Sequence, residues 1–225
     1  MAKRLLILGG YGNTGRLIAE YLVQETDVAL VLAGRSLEKA SVLAAELDSR
    51  CEVPRVAGIR LDASDAQALE AAFSKVDLVV VAASSMDHVA QVAKAALQTG
   101  TDYLVMPLAA AGIRLFGRRA APLMGRMLFW SLCTFSKPPY RTVLKLEASG
   151  IRHGKPVSFS LMLSHEDAYV LTAMPVVACL LQYLEGQLPL TGLWTQANIV
   201  EPERFLRDIG RMGIRLEPPL SMLAV

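Results

Sequence analysis

Leu8-Gly9-Gly10-Tyr11-Gly12-Asn13-Thr14-Gly15 is the stretch whose reading decides the architecture. It follows a short apolar run, Arg4 to Leu8, and opens a helix pattern with Leu17, Ile18, Tyr21 and Leu22 on one face. Gly10, Gly12 and Gly15 satisfy G-x-G-x-x-G, and Gly9, Gly12 and Gly15 the looser G-x-x-G-x-x-G. A chain turning sharply out of a strand needs a residue tolerant of positive φ. Bare backbone must then lie beside a pyrophosphate, and the helix must pack closely on the strand it has left. The helix N-terminus supplies unpaired N–H groups and a positive dipole end. Strand before, helix after and a βαβ unit around them are the context of a dinucleotide site. A P-loop is the near miss. Arg16-Leu17 stands where Lys-Ser/Thr is required, so no hydroxyl is placed for magnesium and nucleotide hydrolysis is rejected.

Downstream the alternation continues. Val28 to Ala33 predicts a second strand, stopped by Gly34, and Ser36 can cap a helix carrying Leu37, Leu43 and Leu47. Val56 to Leu61 predicts a third strand, and Ser64 with Gln67 a capping box opening a helix with Leu69, Ala72 and Phe73. Asp77 to Ala82 predicts a fourth strand covered on both faces. A helix with Val89, Ala93, Ala96 and Leu97 ends at Gly100, and Asp102 to Val105 predicts a fifth strand. Such alternation implies an α/β fold, a Rossmann-type doubly wound parallel sheet with right-handed crossovers.

The pattern changes after Val105. Pro107 to Phe135 reads as helical in pieces and Lys137-Pro138-Pro139 as a turn. Thr142 to Ile151 and Pro156 to Leu163 alternate as strands around a hairpin loop, Arg152 to Lys155. Lys145 and Glu147 between Leu144 and Leu146 predict a sheet with one covered face. Ser164 with Asp167 can cap a helix running to about Leu184, and Pro202 opens another that Gly213 closes. The expected division is residues 1–106, a dinucleotide-binding domain, and 107–225, a smaller α+β unit built around an antiparallel pair.

The chain has 225 residues, 53% hydrophobic and 20% charged, which supplies a core and excludes wholesale disorder. Its 23 basic and 21 acidic residues leave a formal charge of +2, no footprint for nucleic acid. Cys51, Cys133 and Cys179 lie far apart with no zinc spacing, so no metal site is expected and a reducing, cytoplasmic setting fits. Lys3 and Arg4 precede only four apolar residues, too few for a secretory leader. Ala120 to Phe135 is broken by Arg126 and Val170 to Leu181 contains Pro175, so both read as buried helices rather than membrane spans.

The end of the second strand, Ala33-Gly34-Arg35-Ser36, sets cofactor choice. No carboxylate is present there to repel a 2′-phosphate. Arg35 can pair with that phosphate and lie over adenine, and Ser36 can add a hydroxyl, so NADP is read over NAD. Asp62 can accept from the adenine amino group, and Ala83, Ser84 and Ser85 lie beside the ribose. With Gly10, Tyr11, Gly12, Asn13, Thr14 and Gly15, these form the candidate cofactor set.

Chemistry is harder to place. No tyrosine has a lysine four residues on, which removes the Tyr-x-x-x-Lys proton relay of short-chain dehydrogenases. His165-Glu166-Asp167-Ala168-Tyr169 resembles H-E-x-x-H but has Tyr169 in place of the second ligand, so a zincin is rejected. His165, Glu166 and Asp167 stand as acid/base candidates, against the preferred structural reading of helix capping and a half-exposed histidine. Lys145 and Arg118-Arg119 are lesser candidates, and Tyr183 and Trp194 read as core or interface aromatics.

Gly9 to Gly15, Ala33-Gly34-Arg35-Ser36 and Thr101-Asp102-Tyr103-Leu104 resemble the NADP-binding domain of the saccharopine dehydrogenase family. Lys145 to Ile151, His165-Glu166-Asp167 and Gly192-Leu193-Trp194 through Met212-Gly213 resemble the end of such proteins. The resemblance implies pyridine-nucleotide oxidoreduction at a carbon–nitrogen bond of a small-molecule substrate, or a related hydride transfer. It also implies that residues 107–225 are a reduced substrate and dimerisation domain, with a homodimer formed through the C-terminal sheet. The chain is shorter than typical members, as though a block after the fifth strand were missing. The alternative expectation is therefore a catalytically silent NADP-binding or scaffold protein.

Overall fold

The computed structural model describes residues 3–82, 88–105, 141–152, 155–188, 192 and 194–219. β1 (Arg4–Leu8), β2 (Ala29–Gly34), β3 (Val56–Arg60), β4 (Leu78–Val81) and β5 (Asp102–Val105) form one parallel sheet in the order β3-β2-β1-β4-β5. Leu5 to Leu8 and all of β4 are buried, the mark of strands covered on both faces. α1 (Asn13–Glu25) and α2 (Leu37–Asp48) supply Ile18, Leu22, Leu43 and Leu47 to one apolar cluster. α3 (Ala66–Phe73) and α4 (Val89–Thr99) bring Leu69, Phe73, Val92 and Ala96 to the other.

β6 (Thr142–Arg152), β7 (Lys155–His165) and β8 (Arg215–Glu217) form a second, antiparallel sheet in that order. α5 (Ala168–Leu184), α6 (Gln196–Ile199) and α7 (Pro202–Arg211) complete the described C-terminal part. Ten residues of α5 are buried, among them Met174 and Val177, which share a cluster with Ile18 and Leu22 of α1. Pro175 lies within α5, where it removes one backbone donor without ending the helix. Tyr21 donates to the Met212 carbonyl (3.2 Å) and Arg211 pairs with Glu25 (2.6 Å), so α1 is also tied to the end of α7.

α5 is fastened to the N-terminal edge of the parallel sheet. The Tyr183 hydroxyl donates to Asp102 (2.5 Å), and Lys3 donates to the Tyr183 carbonyl (3.2 Å) with its ammonium 3.8 Å from the ring centroid. Burial first, and the Asp102 carboxylate second, raise the Tyr183 hydroxyl well above the usual tyrosine range.

Several expectations are corrected. Asp65, not Ser64, caps α3, accepting from Ala68 N–H at 3.0 Å, while Ser64 turns back to Asp62. Asp167 caps α5, and Ser164 is a buried residue of β7. The hairpin strands extend further than expected, with Arg152 paired to Lys155. Among the described residues nothing covers the apolar face of β6: Leu144 and Leu146 are 51% and 44% exposed. Trp194 is half exposed, which removes the core half of its reading. The segment Pro107 to Phe135, Arg118-Arg119, Cys133, Lys137 to Pro139 and the His153-Gly154 tip lie outside the described residues. Among the described residues no helix is long and apolar enough to cross a membrane.

Candidate functional site

The strand order reverses between β1 and β4, and a cleft opens beyond the C-terminal ends of the strands, the usual ligand position in an open α/β sheet. It holds about 580 Å³. Leu8 and Gly9 at the end of β1, Gly34 and Arg35 at the end of β2, and Asp62 after β3 line it.

The glycine turn builds its floor. Gly9 has φ 86°, so the left-handed residue stands one position ahead of the first glycine of G-x-G-x-x-G. Gly9 and Gly10 both donate to the Ala33 carbonyl (2.8 and 3.2 Å), which pins the turn to the end of β2. A Cβ on Gly15 would stand 2.2 Å from the Gly9 carbonyl oxygen, so the opening of α1 can lie against the turn only with glycine there. Gly10 and Gly15 therefore shape the turn from behind, while Tyr11, Gly12, Asn13 and Thr14 line the cleft.

Gly12 caps α1 without a side chain, and no acidic residue stands in the first turn. The leading N–H groups of α1 thus meet the cleft without a side-chain acceptor, beside the positive end of the helix dipole. A Cβ on Gly12 would stand 3.2 Å from Gly9 O, a tight contact within the turn. Arg16 is engaged elsewhere, with Glu20 (2.8 Å) and Glu46 (2.9 Å), so the backbone provides the positive character at the turn.

Arg35 is exposed at the cleft, and no ion pair engages it among the described residues. Ser36 caps α2 by accepting from Lys39 N–H (3.3 Å). Asp62 accepts from the N–H and hydroxyl of Ser64 (3.0 and 2.9 Å). Those two bonds, with lesser help from Arg35 and His88, hold its carboxyl below the usual carboxylate range. An ionised acceptor at the end of β3 suits an amino group. These residues fit a dinucleotide carrying an extra phosphate on its adenosine ribose.

Sequence reasoning missed two walls of the cleft, His88 and Tyr169. His88 only precedes a helix in sequence, and Tyr169 arrives through the packing of α5 on α1, which no local pattern reports. The candidates just before Tyr169 are used locally. Asp167 N–H donates to His165 Nδ1 (2.9 Å), and Asp167 Oδ1 accepts from Tyr169 N–H (2.8 Å). His165, Glu166 and Asp167 do not line the cleft. Ala82 lines it, and Ala83, Ser84 and Ser85 lie outside the described residues. Burial pushes the Cys179 thiol up to about 11, so it is no nucleophile at neutral pH. Among the described residues no cluster of His, Cys, Asp and Glu could hold a metal ion.

Residues 5–115 match the family model described as the saccharopine dehydrogenase NADP binding domain. No curated protein matches the chain. Among solved structures, apo saccharopine dehydrogenase (L-Glu forming) from Saccharomyces cerevisiae is 15% identical, over 77% of this chain and 52% of its own, with a TM-score of 0.42. A short-chain dehydrogenase/reductase from Veillonella parvula in complex with NADP is 19% identical over 65% of this chain and 76% of its own (TM-score 0.43). Its ethylated form is 25% identical over 47% of each chain (TM-score 0.39). The chain thus spans about half the length of the yeast enzyme and of the ethylated form.

Proposed function

We propose that the chain, whose residues 5–115 match the saccharopine dehydrogenase NADP binding domain, is an NADP-dependent oxidoreductase acting on a small-molecule substrate of the amine or imine class. The observation that carries this is the pairing of two features in one cleft. The α1 N-terminus meets it with no competing acid, and the β2 end offers Arg35 with no carboxylate.

In this reading the N–H groups of Asn13 and Thr14 hold the pyrophosphate, as charge-assisted hydrogen bonds from a helix N-terminus. Arg35 and the Ser36 hydroxyl hold the 2′-phosphate, and Asp62 accepts from the adenine amino group. NADP, when bound, supplies the hydride chemistry. Tyr169 and His88 wall the cleft and restrict water there. Ala82 leaves room beside the end of β4.

Titration with NADPH, followed by its fluorescence or by calorimetry, tests this reading. Saturable binding tighter than that of NADH supports it; heat from neither dinucleotide overturns it. A second reading, NADP binding without turnover, is favoured by the local engagement of His165 and Asp167 in the cap of α5. A screen of amines and keto acids read by NADPH absorbance separates the two.

We propose also a homodimer through β6 and β7. Leu144, Leu146, Val157 and Phe159 are each at least 41% exposed on this hairpin, an apolar surface larger than isolated residues would give. A mass matching one chain in light scattering would remove the dimer and leave the cofactor site standing.

A further inference from the structure

Tyr11 stands apart from the other residues of the glycine turn. Its neighbours serve the pyrophosphate through backbone, but its side chain crosses to the next strand. A Cβ on Gly34 would stand 2.4 Å from Tyr11 Cε1 and 2.9 Å from Tyr11 Oη, so the ring lies directly on the Gly34 backbone. Tyr11 Oη accepts from Ser36 N–H at 3.0 Å. The ring and hydroxyl thus clamp the bend Gly34-Arg35-Ser36 from both sides of Arg35.

The clamp has a chemical consequence. A phenol hydroxyl is both donor and acceptor. The bond from Ser36 uses the oxygen as acceptor, and the proton finds no acceptor among the described residues. Tyr11 and Arg35 both line the cleft, and Ser36 begins α2 with a helix N-terminus. Glu38 is an acidic residue in that first turn, so a bound anion there needs donors besides the helix itself.

We propose that Tyr11 is a specificity residue for the 2′-phosphate. Its hydroxyl donates to that phosphate while its bond with Ser36 holds Arg35 within reach. The inference rests on the NADP reading above and deepens it, by assigning discrimination between the two dinucleotides to the first glycine turn as well as to the end of β2. The placement is economical, because one side chain couples the two phosphate sites. It is also open to a selective test, because 5′-AMP lacks only the group that Tyr11 would contact.

The test compares 2′,5′-ADP with 5′-AMP by calorimetry on the full chain, with NADPH and NADH as a second pair. Tyr11→Phe keeps the ring on Gly34 and removes the hydroxyl alone. It should weaken 2′,5′-ADP and NADPH about tenfold, the worth of one hydrogen bond to a charged group. 5′-AMP and NADH should stay within about twofold. Gly34→Ala pushes the ring from the opposite side and should reduce the same ratio, so the idea does not depend on one variant. An unchanged preference for 2′,5′-ADP in both variants overturns the role of Tyr11 and leaves the NADP reading intact. Equal weakening of both ligands marks a merely structural tyrosine and overturns it too. A native chain that does not distinguish 2′,5′-ADP from 5′-AMP overturns the NADP reading and this inference with it.

Discussion

Gly15 shows how much a single position can disclose. Its requirement is steric, a Cβ 2.2 Å from the Gly9 oxygen, and the spacing of three glycines in the sequence states it openly. Arg35 is legible for the same reason: its effect depends on the residue type at a strand end. Arg35→Asp should lower NADPH affinity by about 10–100-fold, since a charge-assisted pair is lost and a like charge replaces it. NADH should change little or gain. Titration of both dinucleotides checks this, and an unaltered preference would remove Arg35 from the site. Tyr169 was not legible. Its place at the cleft depends on where α5 docks, a fact of tertiary packing that no neighbour in the sequence announces.

Among elements, the parallel sheet was readable because buried parallel strands are short apolar runs at regular intervals, as Leu78 to Val81 is. Caps were read one residue early at α3, because Ser64 and Asp65 are both good caps and only the turn at Asp62 decides between them. β8 spans three residues and gives no period to detect. Alternation in β6 suggested a covered face, but alternation reports which residues share a side and not whether anything lies upon it.

Asp48 is the element-scale junction with a pH signature. At the end of α2 its carboxylate accepts from the N–H groups of Val56 and Arg55 (2.9 and 2.7 Å), joining that helix to β3. Those bonds hold its carboxyl below the usual range. A depressed folded value means stability that is complete above the unfolded value and is lost as pH falls through the folded one. Urea melts from pH 7 down to about pH 2 should therefore show the native chain losing more stability below about pH 4 than Asp48→Asn does. Parallel decline in the two would dismiss the junction.

Across the whole molecule, the cluster that begins with Leu5 and Ile18 ends with Met174, Val177 and Ile214, so residues from both halves of the sequence fill one interior. Burying a side chain such as Leu or Met is worth about 1.5–3 kcal/mol. Residues 1–106 alone would leave the α5-facing side of α1 in water. That fragment should bind a hydrophobic dye and melt at lower temperature than the full chain, with a broader transition. A sharp melt at the native temperature would show the first 106 residues to be self-sufficient.

The first turn of α5 brings Tyr169 to the cleft, and its last turn, about 21 Å away at 1.5 Å per residue, carries the Tyr183–Asp102 bond on the far rim of the sheet. A rod anchored at both extremities transmits stiffness along its length. Quieting Tyr169 with a nucleotide should slow deuterium uptake at Tyr183 and Asp102, places the nucleotide never touches. Tyr183→Phe, which cuts the distal mooring, should silence that remote echo while local protection around Thr14 persists.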